Sequence, residues 1–280
     1  MQPAFNIPPL NLTVQFISVA IMIVGPFVAA HILTRHLSVG WRIFWLGGLV
    51  FIVSQVVLRL PLVSAIQAAI APQIVNSPAL SFALGTGLAF TAALFETGGR
   101  WIGYRFLLRR DPQTWNTGVV FGLGHGGIES AVLIGGIALA QLAALLTTTE
   151  ATLAAMPTLQ AEALRTLAAA VAQGPAWLGL AGAWERVVGV TFHIAMSLLV
   201  LQSFVRNERR WTFYALGAHF LLDFLTPVLI PTIIPAGTAR LIAQQALLVI
   251  AGVFAVWVTL RFCPQKGATN APQPTTSAFV

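Results

Sequence analysis

Apolar positions along the chain come in long unbroken runs rather than in alternation. Seven of the runs are long enough to cross a bilayer as helices, for which about 20 residues are needed. They fall at roughly 11–34, 41–66, 79–106, 115–146, 175–205, 211–230 and 238–262. The Gly25-Pro26 pair predicts a kink in the first run, and Pro227, Pro231 and Pro235 close the sixth. The third run is longer than a bilayer needs, and the fourth is rich in glycine at Gly118, Gly122, Gly124, Gly126 and Gly127. Residues 147–174 are helix-prone and weakly charged. They read as an interfacial helix or two, a lid over the outer face, with a plain connector as the bland alternative. Residues 264–280 are polar and Pro-rich and read as a disordered cytoplasmic tail. The fold class is therefore an all-α polytopic helical membrane protein, one domain over 1–263, with its site-bearing helices at 79–230.

Composition supports the membrane reading. The chain is 57% hydrophobic and 8% charged, whereas a soluble domain carries about 25% charged residues. The formal charge of +7 does not indicate nucleic acid, because the arginines form no basic face and sit in short loops. One set of loops holds Arg35, Arg42, Arg105, Arg109, Arg110, Arg206, Arg209, Arg210, Arg261 and Lys266, while the other holds only Arg165 and Arg240. By the positive-inside rule the N-terminus is outside and the C-terminus cytoplasmic. The N-terminal run lacks the basic n-region of a cleaved signal peptide, and no organelle signal is present, which fits a prokaryotic plasma membrane. The single Cys263 excludes an intrachain disulfide and a cysteine metal cluster, and reads as inert.

What departs from this pattern is a small set of ionisable residues inside the apolar runs. Glu96 and Arg100 lie in FETGGR, His125 and Glu129 in FGLGHGGIES, Glu185, Arg186 and His193 in WERVVGVTFH, and His219 and Asp223 in HFLLD. An ionisable group in hydrocarbon costs at least a few kcal/mol, so it needs a partner, a wet cavity or a function. Counting 1.5 Å per residue from the Arg clusters puts Glu96 roughly 14–20 Å deep, His125 roughly 15 Å, His193 roughly 20 Å and His219 roughly 14 Å. Four helices thus bring an ionisable group to one level. The pairs Glu96–Arg100, His125–Glu129 and His219–Asp223 are each four apart and share a helix face. For any one of them a structural ion pair or an interhelical polar contact explains the residue as well. Glu185 and Arg186 read as a pair fixing the fifth run, through Glu129. Arg59 snorkels or pairs internally, and His31 and His36 lie near a boundary as bystanders.

A buried carboxylate beside an imidazole can hold a water and take its proton, and a second imidazole, His219, can donate to a developing oxyanion. Asp223 can hold that ring or donate if protonated. The chemistry this suggests is amide hydrolysis by an activated water inside the membrane. The glycines at 122, 124, 126 and 127 let a backbone or a substrate approach beside His125, or serve helix packing. Zinc is the competing chemistry, since histidines and carboxylates are its ligands. The HExxH pair is absent, and no two of these histidines are three or four apart on one helix, so the metal-free route is expected, with no cofactor. Nothing around Ser130, Ser197 or Ser203 resembles a nucleophile elbow.

FETGGR, FGLGHGG and HFLLD, in that order on successive helices, resemble the glutamic-type intramembrane protease superfamily, with its EExxxR, FxxxH and HxxxN or HxxxD motifs. Phe121 and His125 meet FxxxH, and His219 and Asp223 meet HxxxD. The GHGGxE run and the extra histidine of the fifth span are most similar to the YhfC family of membrane peptidases within it. The resemblance covers about residues 79–230. It implies a membrane-embedded endopeptidase acting on a peptide or membrane-protein substrate at or below the cytoplasmic leaflet. By it Glu96 and His125 activate water, His219 and Asp223 help bind the oxyanion, and Arg100, Glu129 and His193 support them. Two adjacent acids are usual in that superfamily, but Glu96 follows Phe95 and precedes Thr97. Glu96 and Glu129 therefore both remain candidates for the main acid. The superfamily also includes a non-catalytic scaffold, so a scaffold or chaperone is the alternative, with a transporter beside it.

Overall fold

The computed structural model describes residues 3–75 and 77–264. The tail expected over 264–280 lies, from residue 265 on, outside the described residues. Seven helices are long and apolar enough to cross a membrane: Pro9–His36, Trp41–Ile74, Pro78–Leu107, Trp115–Thr147, Ala176–Val205, Arg210–Ile233 and Thr238–Arg261. These are the seven runs read from the sequence, and no strand occurs among the described residues. The second span continues to Ile74, beyond the expected end at 66, running through Pro72 to just short of the Ser77-Pro78 start of the next one. There Ser77 caps the third span by accepting the Leu80 amide at 3.2 Å. The first span runs unbroken through Pro26.

Large apolar side chains such as Val24, Val28, Ile32, Val57, Leu58, Ile242, Val253 and Leu260 are exposed on the outside of the bundle. That arrangement suits a hydrocarbon solvent rather than water. With no hydrophobic drive between helices in lipid, close approach depends on small residues. A β-carbon on Gly124 would lie 1.9 Å from the Phe44 carbonyl oxygen, so the second and fourth spans cross backbone to backbone there. The fifth span packs against the fourth and the seventh, and the sixth against the third and the fifth. Met196, Leu198, Val200 and Leu201 on the fifth span are fully or almost fully buried.

The 147–174 segment forms two helices, Glu150–Ala155 and Thr158–Gln173. They dock on the ends of the first and fourth spans, where Ile7, Leu145 and Ala168 form a small second core. Asn11 ties the longer helix down by donating to the Val171 and Gly174 carbonyls at 2.5 and 3.0 Å. At the opposite, Arg-rich end the loops are short and cross-linked. Arg206 stacks on Trp211 and Phe262, Arg42 pairs with Asp111, and the Trp115 indole donates to the Thr259 carbonyl at 2.8 Å. The Trp211 indole N–H and Arg210 hold the Glu208 carboxyl below the usual carboxylate range.

Candidate active site

Glu96 is the centre of the polar cluster. It projects from the third span into the bundle and is 5% exposed. One oxygen, Oε1, accepts from Gln55 Nε2 at 2.9 Å. The other, Oε2, lies 3.1 Å from Arg100 Nη2, 3.2 Å from His125 Nε2, 3.4 Å from His193 Nδ1 and 3.7 Å from His219 Nε2. The four helices expected to share one level therefore meet at a single carboxylate oxygen. The i, i+4 spacing of Glu96 and Arg100 is what lets the guanidinium reach back to it.

Arg100 is fully buried. Besides Glu96 it donates from Nε to Ser197 Oγ at 3.2 Å and lies 2.6 Å from His193 Nδ1 through Nη2. A guanidinium only donates, so Nδ1 of His193 is the acceptor and, in the neutral ring, the proton is on Nε2. That nitrogen faces Glu129 Oε2 at 2.7 Å, at an angle outside hydrogen-bond geometry. Glu129 Oε1 accepts from Arg186 Nη1 at 3.1 Å. His193 thus stands between the two acids, and Gly126 makes room for it: a β-carbon there would be 2.7 Å from His193 Cβ. The contacts at glycines 122, 124, 126 and 127 are all with neighbouring helices, which supports the packing reading of these residues.

The seven residues that the resemblance assigns to the site are brought together, but not in equivalent positions. His125 is fully buried, with its ring edge-on to Phe51, and is absent from the cavity wall. It holds Glu96 from behind. A cavity of about 450 Å³ is lined by Glu96, Glu129, His193, His219 and Asp223, together with Gln55. His219 Nε2 lies 3.5 Å from Asp223 Oδ2 and makes no hydrogen bond to it or to Glu96, so it is free to meet a ligand. Sequence reasoning missed Gln55, and it weighed Ser197 only as a nucleophile, not as a partner of Arg100. Gln55 is 4% exposed and bonds both Glu96 and the Ala92 carbonyl. The available signal was its spacing of four from Arg59, whose Nη1 bonds Gln55 Oε1 at 3.2 Å. Arg59 also bonds the Leu88 carbonyl and Thr91, so it pairs internally. Arg186 reaches Glu129 as expected, whereas Glu185 turns instead to Gln245 of the seventh span.

One ligand atom each from Glu96, His193 and His219 gathers within a mutual spread of 4.8 Å. Two imidazoles and a carboxylate are a donor set that zinc accepts, so the cluster fits a metal by type and by spacing. The opposing feature is Arg100, a permanent cation 2.6–3.1 Å from atoms of two of the three.

The profile of the YhfC intramembrane metalloprotease family matches residues 19–248 of the chain. A protein described as the uncharacterized membrane protein YhfC of Bacillus subtilis (strain 168) is 30% identical over 144 residues, which is 47% of this chain and 52% of that one. The aligned part therefore spans about half the length of that relative. No solved structure matches.

Proposed function

The chain belongs to the YhfC intramembrane metalloprotease family, and from that premise we propose that it hydrolyses peptide bonds in membrane-associated polypeptides, at the cavity face of Glu96. The observation that carries this reading is the Glu96 carboxylate itself. Polar groups from the second, third, fourth and fifth spans hold it in place, yet it still borders a cavity large enough for a peptide segment. Glu96 Oε1 accepts only from Gln55 among the described residues, so its second lone pair can hold a water. Arg100 and His125 keep the carboxylate in position through Oε2. Water oxygen bonds to the substrate carbonyl carbon while one water proton passes to Glu96. His219, beside Asp223 on the cavity wall, donates to the oxyanion that forms. The C–N bond then breaks as the proton is delivered to the leaving nitrogen, giving an amine and a carboxylic acid. Glu129, which lines the same cavity, is the second acid at hand for that proton.

The spread of Glu96, His193 and His219 supports a second reading, in which the three hold a zinc ion. Bound there, zinc would supply a Lewis acid and a water acidic enough to attack near neutral pH.

Either reading is tested without a known substrate. Membranes from cells making the wild type and the His219→Gln variant are compared by labelling new protein N-termini. New termini that need His219 are the expected result. Identical termini in both, with both proteins folded, would leave the scaffold reading. His219 suits this test because it makes no direct hydrogen bond to either neighbouring acid that its replacement would break.

A further inference from the structure

The cavity has a direction. In all six helices that line it, the lining begins at the level of Glu96 and proceeds towards one end of the bundle. The wall runs from Phe51 to Leu60 on the second span and from His219 to Pro227 on the sixth. On the antiparallel spans it runs from His193 back to Glu185 and from Leu248 back to Leu241. Eight residues of helix cover about 12 Å. Every one of these runs leads away from the helix ends that carry Arg42, Arg105, Arg109, Arg206, Arg210 and Arg261. Between the site and those ends the bundle is filled by Phe44, Tyr104, Phe121, Leu198 and Leu201, each at most 1% exposed.

Hollow and filled halves thus coincide with the charge asymmetry of the loops. Among the described residues, the filled half faces the loops with nine of the arginines, and the hollow half faces the loops holding Arg165 and Arg240. Basic loops stay on the cytoplasmic side. We infer that the site is entered from the extracytoplasmic side, and that its substrates are polypeptide segments presented in the outer half of the membrane or at its outer surface. The inference rests on the peptidase reading for the word substrate and on the cavity alone for the side. The side is opposite to the one the sequence resemblance implied. The chemistry of the wall agrees with a peptide in extended form. Gln244 and Gln245, whose side-chain N–H groups donate to the Thr226 carbonyl and to Glu185, keep their amide oxygens as acceptors along the wall, and an unwound backbone inside a membrane needs such partners.

The native Cys263, beside Arg261 at the filled end, and a cysteine placed in the cavity report on opposite faces. The wild type is labelled with a membrane-impermeant maleimide in intact cells and in inverted vesicles. So are two variants on a Cys263→Ser background, Gln245→Cys midway along the wall and Leu222→Cys beside His219. The expected result is labelling of both cavity cysteines in intact cells, lost after pretreatment with an impermeant blocker, with Cys263 labelled only in inverted vesicles. Cavity cysteines labelled only in inverted vesicles, or reached from neither side, overturn the inference, as does Cys263 labelled from outside. The second variant guards against misfolding of the first. Labelling needs no turnover, so a peptidase reading that fails the N-terminus comparison leaves this result intact, and a reversed labelling pattern leaves the chemistry intact.

Discussion

Arg100 is a permanent charge with no exposed surface, and its position explains why the residues around it tolerate burial. It donates to Glu96, Ser197 and His193, which sit on two different spans. Removing one member of a buried pair leaves the other charge uncompensated, at a cost of about 3–5 kcal/mol. Arg100→Ala is therefore expected to lower thermal stability in detergent far more than His219→Gln, whose ring makes no hydrogen bond to either neighbouring acid. His219→Gln should instead show its effect in turnover. Loss of an oxyanion donor costs about 100- to 1,000-fold in kcat, and an unchanged rate in a folded His219→Gln protein would sink that role. The same residues separate the two hydrolytic readings. If water is activated by Glu96 alone, a zinc chelator leaves cleavage unchanged. If Glu96, His193 and His219 hold zinc, chelation abolishes cleavage, and elemental analysis finds the metal in the wild type but not in His219→Ala. Isolated ionisable residues were legible in the sequence because hydrocarbon makes them costly. Gln55 was not, since an uncharged amide in an apolar run is common enough to pass as packing.

At the scale of elements, regular helix gives way to wider π-type winding beside the site at Ile52–Arg59, Glu129–Ile134 and Leu225–Leu229, and away from it at Gly103–Leu107. The first carries Gln55 and Arg59, the second begins at Glu129, and the third begins just after Asp223. Such turns are rare and concentrate at functional sites. Each shifts the helix face by about a residue, which counting at 3.6 per turn cannot foresee. The glycines give the opposite lesson. Their number in the fourth span was plain, but the sequence left packing and substrate approach equally open. Gly124→Ala tests the answer, since its β-carbon would meet the Phe44 carbonyl. Overpacking costs typically about 1–3 kcal/mol, so a lowered unfolding midpoint is expected. Gly136→Ala, where nothing lies within 4 Å, should leave the midpoint unchanged. Equal midpoints for the two variants would contradict a backbone-to-backbone crossing at Gly124.

For the whole molecule, one end is knitted together and the other is hollow. The two short helices at the hollow end lean on the first and fourth spans, and none of their residues lines the cavity. The sequence suggested a lid over the outer face, and these helices are docked on the first and fourth spans rather than on the cavity wall. Asn11 is a polar tie between this cap and the first span. Asn11→Ala is expected to speed proteolysis within residues 147–180 in detergent while leaving the cleavage rate at the site unchanged. A parallel loss of activity would show that the cap supports the cavity after all.

The sequence by itself determined seven helices, their order, and the level at which the charged residues lie. Each of these follows from a one-dimensional quantity: the length of an apolar run, or the count of residues between a polar group and a helix end. It also carried the family, through short motifs in a fixed order. Only the tertiary structure decided that His125 stands behind Glu96, that Gln55 completes its set of partners, and that the cavity leads away from the arginines. Those facts depend on how each helix is rotated about its axis and on which side chains fill the gap between neighbours. A membrane helix meets lipid on one face and packed side chains on the other, and both surroundings are apolar. Its faces therefore differ little in polarity, and the rotation that decides the site leaves almost no trace in the pattern of residues.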